Sequence, residues 1–219
     1  GGGLWRDKTG AAWIDPSARE AWEYNARIAR EMSKRGFDEI QFDYVRFPSD
    51  GVLSTIRYTV YDSAVSKTDA LLEFFKFING LRSEGIRVSA DVFGIIMNSD
   101  QGRPIGQLLA NVYPYVDFIS PMVYPSHYPD GFNGYANPAL FPYEIVKQAL
   151  DDGALMLETE LGIAQTESRK HFRPWLQDFD IGAVYTRDRI QAQIKASRDG
   201  GASGYMMWNA RNVYEQGGY

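Results

Sequence analysis

Apolar positions along this chain switch repeatedly between a helical period and a strand period. Ala18, Trp22, Ala26, Ala29 and Met32 return every three or four residues, which predicts an amphipathic helix. Asp15-Pro16 supplies its start, an acceptor for an orphan N–H followed by a residue suited to the first helical position, and Gly36 supplies its end. A strand is predicted at about 39–47. The unit then repeats. Leu72, Phe75, Ile78 and Leu81 predict a helix over 69–83, closed by Gly85 and followed by a strand at 87–93. Shorter helices at 105–113, 143–150 and 188–196 alternate with strands at 116–124, 171–179 and 203–208.

Five strands, each preceded by a helix, predict an α/β fold with a parallel sheet. No interruption marks a boundary, so residues 1–219 read as one domain. Long polar loops at 48–62, 94–104 and 125–138 follow the strands, whereas the turns from helix into strand, at 36–38 and 85–86, are short. This asymmetry puts the candidate site at the carboxyl ends of the strands. No glycine fingerprint for a dinucleotide or phosphate follows a strand, which favours a (β/α)₈ barrel over a doubly wound sheet. A complete barrel needs ~250 residues and eight strands, more than this chain supplies.

Alternation within 40–48 sends Ile40, Phe42 and Tyr44 towards the helices and Gln41, Asp43 and Val45 inward. In 88–93 the same parity sends Ser89 and Asp91 inward. A carboxylate inside a barrel is costly unless paired or functional. Neighbouring strands lie ~4.8 Å apart, so Asp43 and Asp91 are expected roughly 5 Å from each other, the spacing of a retaining glycosidase pair. The structural alternative pairs Asp43 with Arg46. Tyr124 and His127, beyond the third strand, are candidates for binding sugar hydroxyls. Trp175, Gln177 and Asp178 end the fourth strand, with Gln177 favoured as the inward residue, and Trp208 and Asn209 end the fifth. A carboxylate set of Asp43, Asp91 and Asp178 could instead hold Mg²⁺ or Ca²⁺. There is no Gly-x-Ser-x-Gly elbow, and His127 and His171 are too few for a histidine-rich zinc site.

Composition narrows the partners. The 219 residues carry 23 Lys and Arg against 28 Asp and Glu, for a net charge of −5, with the cations scattered. No basic stripe marks a nucleic-acid surface. Cysteine is absent, which removes disulfides, zinc–thiolate sites and thiol nucleophiles. No apolar run approaches the ~20 residues of a membrane span. The opening Gly1-Gly2-Gly3 lacks the apolar region of a signal peptide. Fourteen Tyr, 12 Phe and 5 Trp offer ring faces for stacking sugars, although most aromatic residues fill cores.

The stretch Gly36-Phe37-Asp38-Glu39-Ile40-Gln41-Phe42-Asp43-Tyr44-Val45-Arg46-Phe47-Pro48 resembles a bacterial glycosyl-hydrolase domain family, classed as a domain of unknown function, whose members look like (β/α)₈ TIM barrels. Trp13-Ile14-Asp15-Pro16, Ile119-Ser120-Pro121-Met122-Val123-Tyr124-Pro125, Arg173-Pro174-Trp175-Leu176-Gln177-Asp178-Phe179 and Trp208-Asn209-Ala210 extend the resemblance over nearly the whole chain. In that family Gly-Gly-Gly-x-Trp follows the third barrel strand. The resemblance therefore implies the last five strands without the first three, which a second fragment or chain would supply. It also implies a secreted, extracellular or cell-envelope location and no cofactor. More distantly, the 36–47 segment is similar to the nucleophile strand of the α-amylase superfamily. In that superfamily the nucleophile closes the fourth strand, a Glu acid the fifth and a helper Asp the seventh, places held here by Asp43, Asp91 and Asp178. Gln41 stands where that superfamily has arginine, and Asp91 is shorter than its Glu.

Three functions follow. In a retaining glycoside hydrolase, Asp43 attacks or stabilises the sugar cation and Asp91 protonates the leaving oxygen, while Tyr44, Arg46, Tyr124, His127, Trp175, Gln177, Trp208 and Asn209 shape the subsites. The others are a glycan-binding barrel without catalysis and a metal-assisted hydrolase or deacetylase.

Overall fold

A computed structural model describes residues 3–219, so Gly1 and Gly2 of the Gly-Gly-Gly-x-Trp stretch lie outside the described residues. The chain forms two compact units, residues 1–90 with 100–117 and residues 91–99 with 118–219. The fold is α/β. Its strands are hydrogen-bonded in the order β1-β2-β3-β4-β5, which is also their order in the chain. The β1–β2, β3–β4 and β4–β5 pairs are parallel.

The first unit carries α1 (Arg19–Lys34), β1 (Ile40–Phe42), α2 (Lys67–Ser83), the first half of β2 (Val88–Phe93) and α3 (Leu109–Val112). Ile40, Gln41 and Phe42 register with Val88, Ser89 and Ala90. The α2 start follows a reciprocal cap: Ser66 Oγ accepts the Asp69 N–H at 3.0 Å and donates to the Asp69 carboxylate at 2.7 Å. Its buried stripe runs through Leu71, Phe74, Phe75 and Ile78, one step round the helix from the predicted Leu72. Phe74 takes the edges of Trp22 and Phe42 at 5.6 and 5.8 Å, which fixes α1, α2 and β1 around one aromatic core. Asp117 locks the far end, accepting from Val88 N–H at 2.8 Å and from Arg82 at 3.0 Å.

Two expectations fail here for local reasons. The first helix begins at Arg19, not at Asp15-Pro16. Asp15 is engaged elsewhere: its Oδ2 accepts the N–H groups of Thr59, Val60 and Tyr61 at 2.9, 2.8 and 3.0 Å, and its Oδ1 accepts that of Ser17. The predicted strand at 39–47 stops at Phe42 because Tyr44 turns into the left-handed region, with φ 55°. Alternation holds for Phe42, which meets Phe74, and breaks at Tyr44, which is 68% exposed rather than covered by helices.

The second unit carries the rest of β2, then β3 (Phe118–Met122), α4 (Pro142–Leu161), α5 (Gln165–Ser168), β4 (Trp175–Gln177), α6 (Arg187–Asp199) and β5 (Met206–Trp208). Trp175, Leu176 and Gln177 pair with Met206, Met207 and Trp208. The helix predicted at 143–150 continues to Leu161. Gly153, Ala154 and Leu157 extend its buried stripe, and Gly162 ends it at φ 69°. The strand predicted at 171–179 shrinks to three residues. Residues 169–171 form a 3₁₀ turn, Phe172 makes only an isolated bridge to Ile119, and Pro174 has no N–H to give.

Candidate functional site

In the first unit the chain leaves β1 through a sharp turn. Asp43 follows the strand, solvent-exposed, and its Oδ1 accepts the Tyr44 N–H at 2.6 Å, which supports the left-handed Tyr44 backbone. That turn brings Arg46 back under the ring of Trp13. The guanidinium lies 4.6 Å from the Trp13 centroid and 5.3 Å from that of Tyr44, and the two rings meet edge-on at 6.2 Å. Arg46 also donates to Phe47 O and Ser49 Oγ at 3.3 and 3.2 Å. Burial lowers the Arg46 pKa, and the nearby Tyr44 together with the carboxylates of Asp50, Asp43 and Asp7 works against that. Trp13 is itself held by its indole N–H to Asp7 at 2.9 Å. That bond, with Thr9 and local backbone N–H groups, brings the Asp7 pKa down to about 2. Asp7, Trp13, Asp43, Tyr44, Arg46 and Asp50 line one end of a cleft of about 690 Å³, which continues along α1.

The second unit gathers a different set. Asp91 is 6% exposed, and its Oδ1 accepts the Trp175 indole N–H at 2.8 Å. The Trp175 ring stands edge-on to Trp208, with centroids 5.9 Å apart and planes at 81°, and Trp208 keeps 43% of its surface in water. One carboxylate, one donor-only indole and one partly exposed ring thus form a connected row. Beyond β3, Tyr124, His127 and Phe179 form a triangle of rings with centroids 5.3 to 5.7 Å apart. His127 Nδ1 lies 3.1 Å from Ser126 Oγ, and packing against the rings lowers its pKa although part of the imidazole reaches solvent. His127 is therefore neutral at neutral pH.

The remaining candidates at the ends of β4 and β5 are engaged internally. Gln177 is fully buried; its side-chain oxygen accepts from Ser126 N–H at 3.1 Å and its amide donates to Phe179 O at 2.8 Å. Gln193 closes a two-bond loop with the Gln177 backbone at 2.9 and 2.8 Å. Asp178, 3% exposed, accepts from Glu215 N–H at 3.0 Å and from the Tyr219 hydroxyl. Asn209 donates to Asp178 O and, at 2.7 Å, to Val213 O. Asp178 and Asn209 thus fasten residues 209–219 over the end of β4, while Gln177 ties the segments after β3 and β4 to α6. Among the described residues, no group of three or more His, Asp or Glu is arranged to hold a metal ion.

Asp7 and Trp13 are a first pair whose link to Arg46 the sequence reading missed; it missed Ser126, Gln193 and Tyr219 as well, and held Phe179, like Trp13, only within a motif. The signal for the first pair was the turn Asp7-Lys8-Thr9-Gly10 inside the Arg6–Ala12 bridge, which delivers Trp13 to Arg46. Nothing local foretells the others, which act across sequence separations of 16 to 55 residues.

The profile of the family described as "Putative glycosyl hydrolase domain" matches residues 1–214. The chain belongs to that family. The chain gives no match among curated protein sequences. Its fold is similar to three solved structures. The glycoside hydrolase domain of PgaB (BpsB) from Bordetella bronchiseptica has a TM-score of 0.60 at 16% identity, covering 94% of this chain and 64% of that one. A chitinase from Chromobacterium violaceum has a TM-score of 0.60 at 11% identity, covering 97% and 74%. The spore cortex-lytic enzyme SleL of Bacillus megaterium has a TM-score of 0.58 at 11% identity, covering 93% and 53%. The domain thus spans 64% and 53% of the PgaB and SleL chains it matches. At these identities the likeness concerns the fold. No described helix of the domain is long and apolar enough to cross a membrane.

Proposed function

We propose that this domain hydrolyses O-glycosidic bonds in an extracellular or cell-envelope polysaccharide, with retention of anomeric configuration. The observation that carries the reading is the row in the second unit: a nearly buried carboxylate, Asp91, held by the Trp175 N–H, beside the open ring of Trp208. A sugar stacked on Trp208 would place its exocyclic oxygens near a group able to give a proton. Asp91 is assigned as the general acid and Asp43 as the nucleophile or the stabiliser of the oxocarbenium-like centre. Tyr44, Arg46, Tyr124, His127 and Trp208 are assigned to sugar contacts. Gln177, Asp178 and Asn209 are assigned to the framework, because their polar atoms already hold the backbone. The five parallel strands are read as the last five of a (β/α)₈ barrel, with the other three from a further segment or chain. Agreement of strand order with chain order supports this, as does the greater length of the similar structures.

The test is release of reducing ends from chito-oligosaccharides and from spore-cortex preparations, the material named for similar structures. Asp91→Asn and Asp43→Asn are each expected to lower turnover by two or more orders of magnitude, and proton NMR of the first product should show the starting anomer. Full turnover in both variants would overturn the assignment. Sugar binding to the wild type without turnover would favour a glycan-binding domain.

A further inference from the structure

We infer that Trp175 is a positioning residue for Asp91, one that dictates which carboxyl oxygen carries the proton. The inference rests on Asp91 being a reacting group and adds a residue that acts through it. An indole N–H donates and never accepts. The bond from Trp175 Nε1 to Asp91 Oδ1, at 2.8 Å, is therefore strongest while Oδ1 is unprotonated, because the hydroxyl oxygen of a neutral carboxyl is a weaker acceptor. A proton taken up by Asp91 is therefore favoured on Oδ2, and the indole is one of the groups that orient the carboxyl.

The indole is itself firmly held. Trp175 lies within the sheet, registered with Met122 on β3 and Met206 on β5, and its ring abuts Trp208 at 81°. Few orientations of this side chain keep both the ring contact and the N–H bond, so the carboxylate receives a rigid partner. The bond also favours the ionised carboxylate over the neutral acid. Desolvation at 6% exposure acts in the opposite sense. Trp175 thus tempers the acid as well as aiming it. Through the shared ring edge, a sugar stacked on Trp208 presses on the same indole that steers Asp91.

The experiment compares the full chain with Trp175→Phe, which keeps an aromatic ring and removes the N–H. Asp91 is followed by NMR in protein labelled with ¹³C at the aspartate carboxyl carbon, its signal assigned by its absence in Asp91→Asn. The expected result is a rise of the Asp91 titration midpoint on the order of one pH unit, about a tenfold change in proton affinity. On chito-oligosaccharides the variant should lose turnover with little change in KM, and the pH–rate limb belonging to Asp91 should move the same way. A residue that merely fills space would lower thermal stability and leave the midpoint in place. Should Trp175→Phe fail to fold, benzothienylalanine at position 175 keeps the bicyclic shape and replaces N–H with sulfur, and the same shift is expected. An unmoved midpoint in the folded variant overturns the inference while leaving Asp91 as the acid. Wild-type turnover in Asp91→Asn removes the catalytic reading and the inference with it, even if the midpoint moves.

Discussion

Replacing Asp15 with alanine tests whether a single carboxylate organises the loop after β1. Four backbone N–H groups converge on it, those of Ser17, Thr59, Val60 and Tyr61, at 2.8 to 3.0 Å. The Thr59 and Val60 donors are exposed and can turn to water, so their loss costs little. The Ser17 and Tyr61 donors are partly buried, and each should cost about 1 kcal/mol when its charged acceptor disappears. The sum is about 2 kcal/mol, which in a chain of this size lowers Tm by roughly 4–8 °C. The effect should be local as well as global. The Tyr61 ring packs against Phe47 at 4.7 Å and against Tyr58 at 5.1 Å, so a freed loop loosens this cluster. Hydrogen exchange read by NMR should show the amides of Thr59, Val60 and Tyr61 losing protection in Asp15→Ala, with α1 unchanged from its second turn onward. If instead the α1 amides fray and residues 59–61 keep their protection, Asp15 is a helix cap after all and the argument is wrong.

Gly94→Ala should destabilise by about 2–3 kcal/mol in a urea melt, because an added Cβ would lie 2.5 Å from Met122 O and 2.8 Å from the buried Tyr128 hydroxyl; a loss below about 0.5 kcal/mol would show that β3 yields easily. His127 has a lowered pKa in the folded chain, so the unfolded chain binds its proton first and stability is lost as pH falls below about 6.5. His127→Gln should remove that part of the acid dependence of Tm, and parallel profiles for the two proteins would refute the assignment. The Tyr219 hydroxyl has a raised pKa, first from burial and then from its bond to Asp178, so the folded chain keeps this proton when the unfolded chain loses it near 10. The stabilisation is full below pH 10 and fades above it. Tyr219→Phe should therefore be less stable than wild type at pH 8, with the gap narrowing towards pH 11; a constant gap would contradict the linkage.

Periodicity was a good guide wherever one face of an element is buried without exceptions. α1, α2 and α6 stand within a few residues of their predicted places, and all five strands exist. Boundaries escaped where a side chain has an alternative to regular structure. Asp15 satisfies loop amides in preference to a helix end, and Tyr44 takes a left-handed backbone that no alternation rule anticipates. α4 runs well past its predicted end at 150, and Gly153 lies in its buried stripe with Ala149, Leu150 and Ala154, where a small residue suits close packing. The site was legible as residue types at strand ends. Its wiring was not, because the bonds that matter join residues far apart in sequence, as Trp175 and Asp91 are by 84 positions.

That wiring also supplies a physical criterion for sorting the acidic residues, which the sequence presents as equivalents. Asp15, Asp117 and Asp178 each accept from backbone N–H groups, so their charge is committed to holding chain segments in place. Such a carboxylate stabilises the fold only while ionised and accepting, and a reaction that protonated or alkylated it would loosen the segment it holds. The bond that Asp91 accepts from Trp175 is of another kind, since a change of charge there would free a side chain and not a backbone amide. Asp43 is an intermediate case. It bonds one adjacent amide, that of Tyr44, and remains open to solvent in an aromatic-walled cleft. Chemistry at Asp43 is therefore coupled to the left-handed turn at Tyr44, and through the Tyr44 and Trp13 rings to the guanidinium of Arg46. On this ground the proposed reaction would have Asp91 exchange a proton in each cycle and Asp43 keep its charge throughout the approach of a sugar.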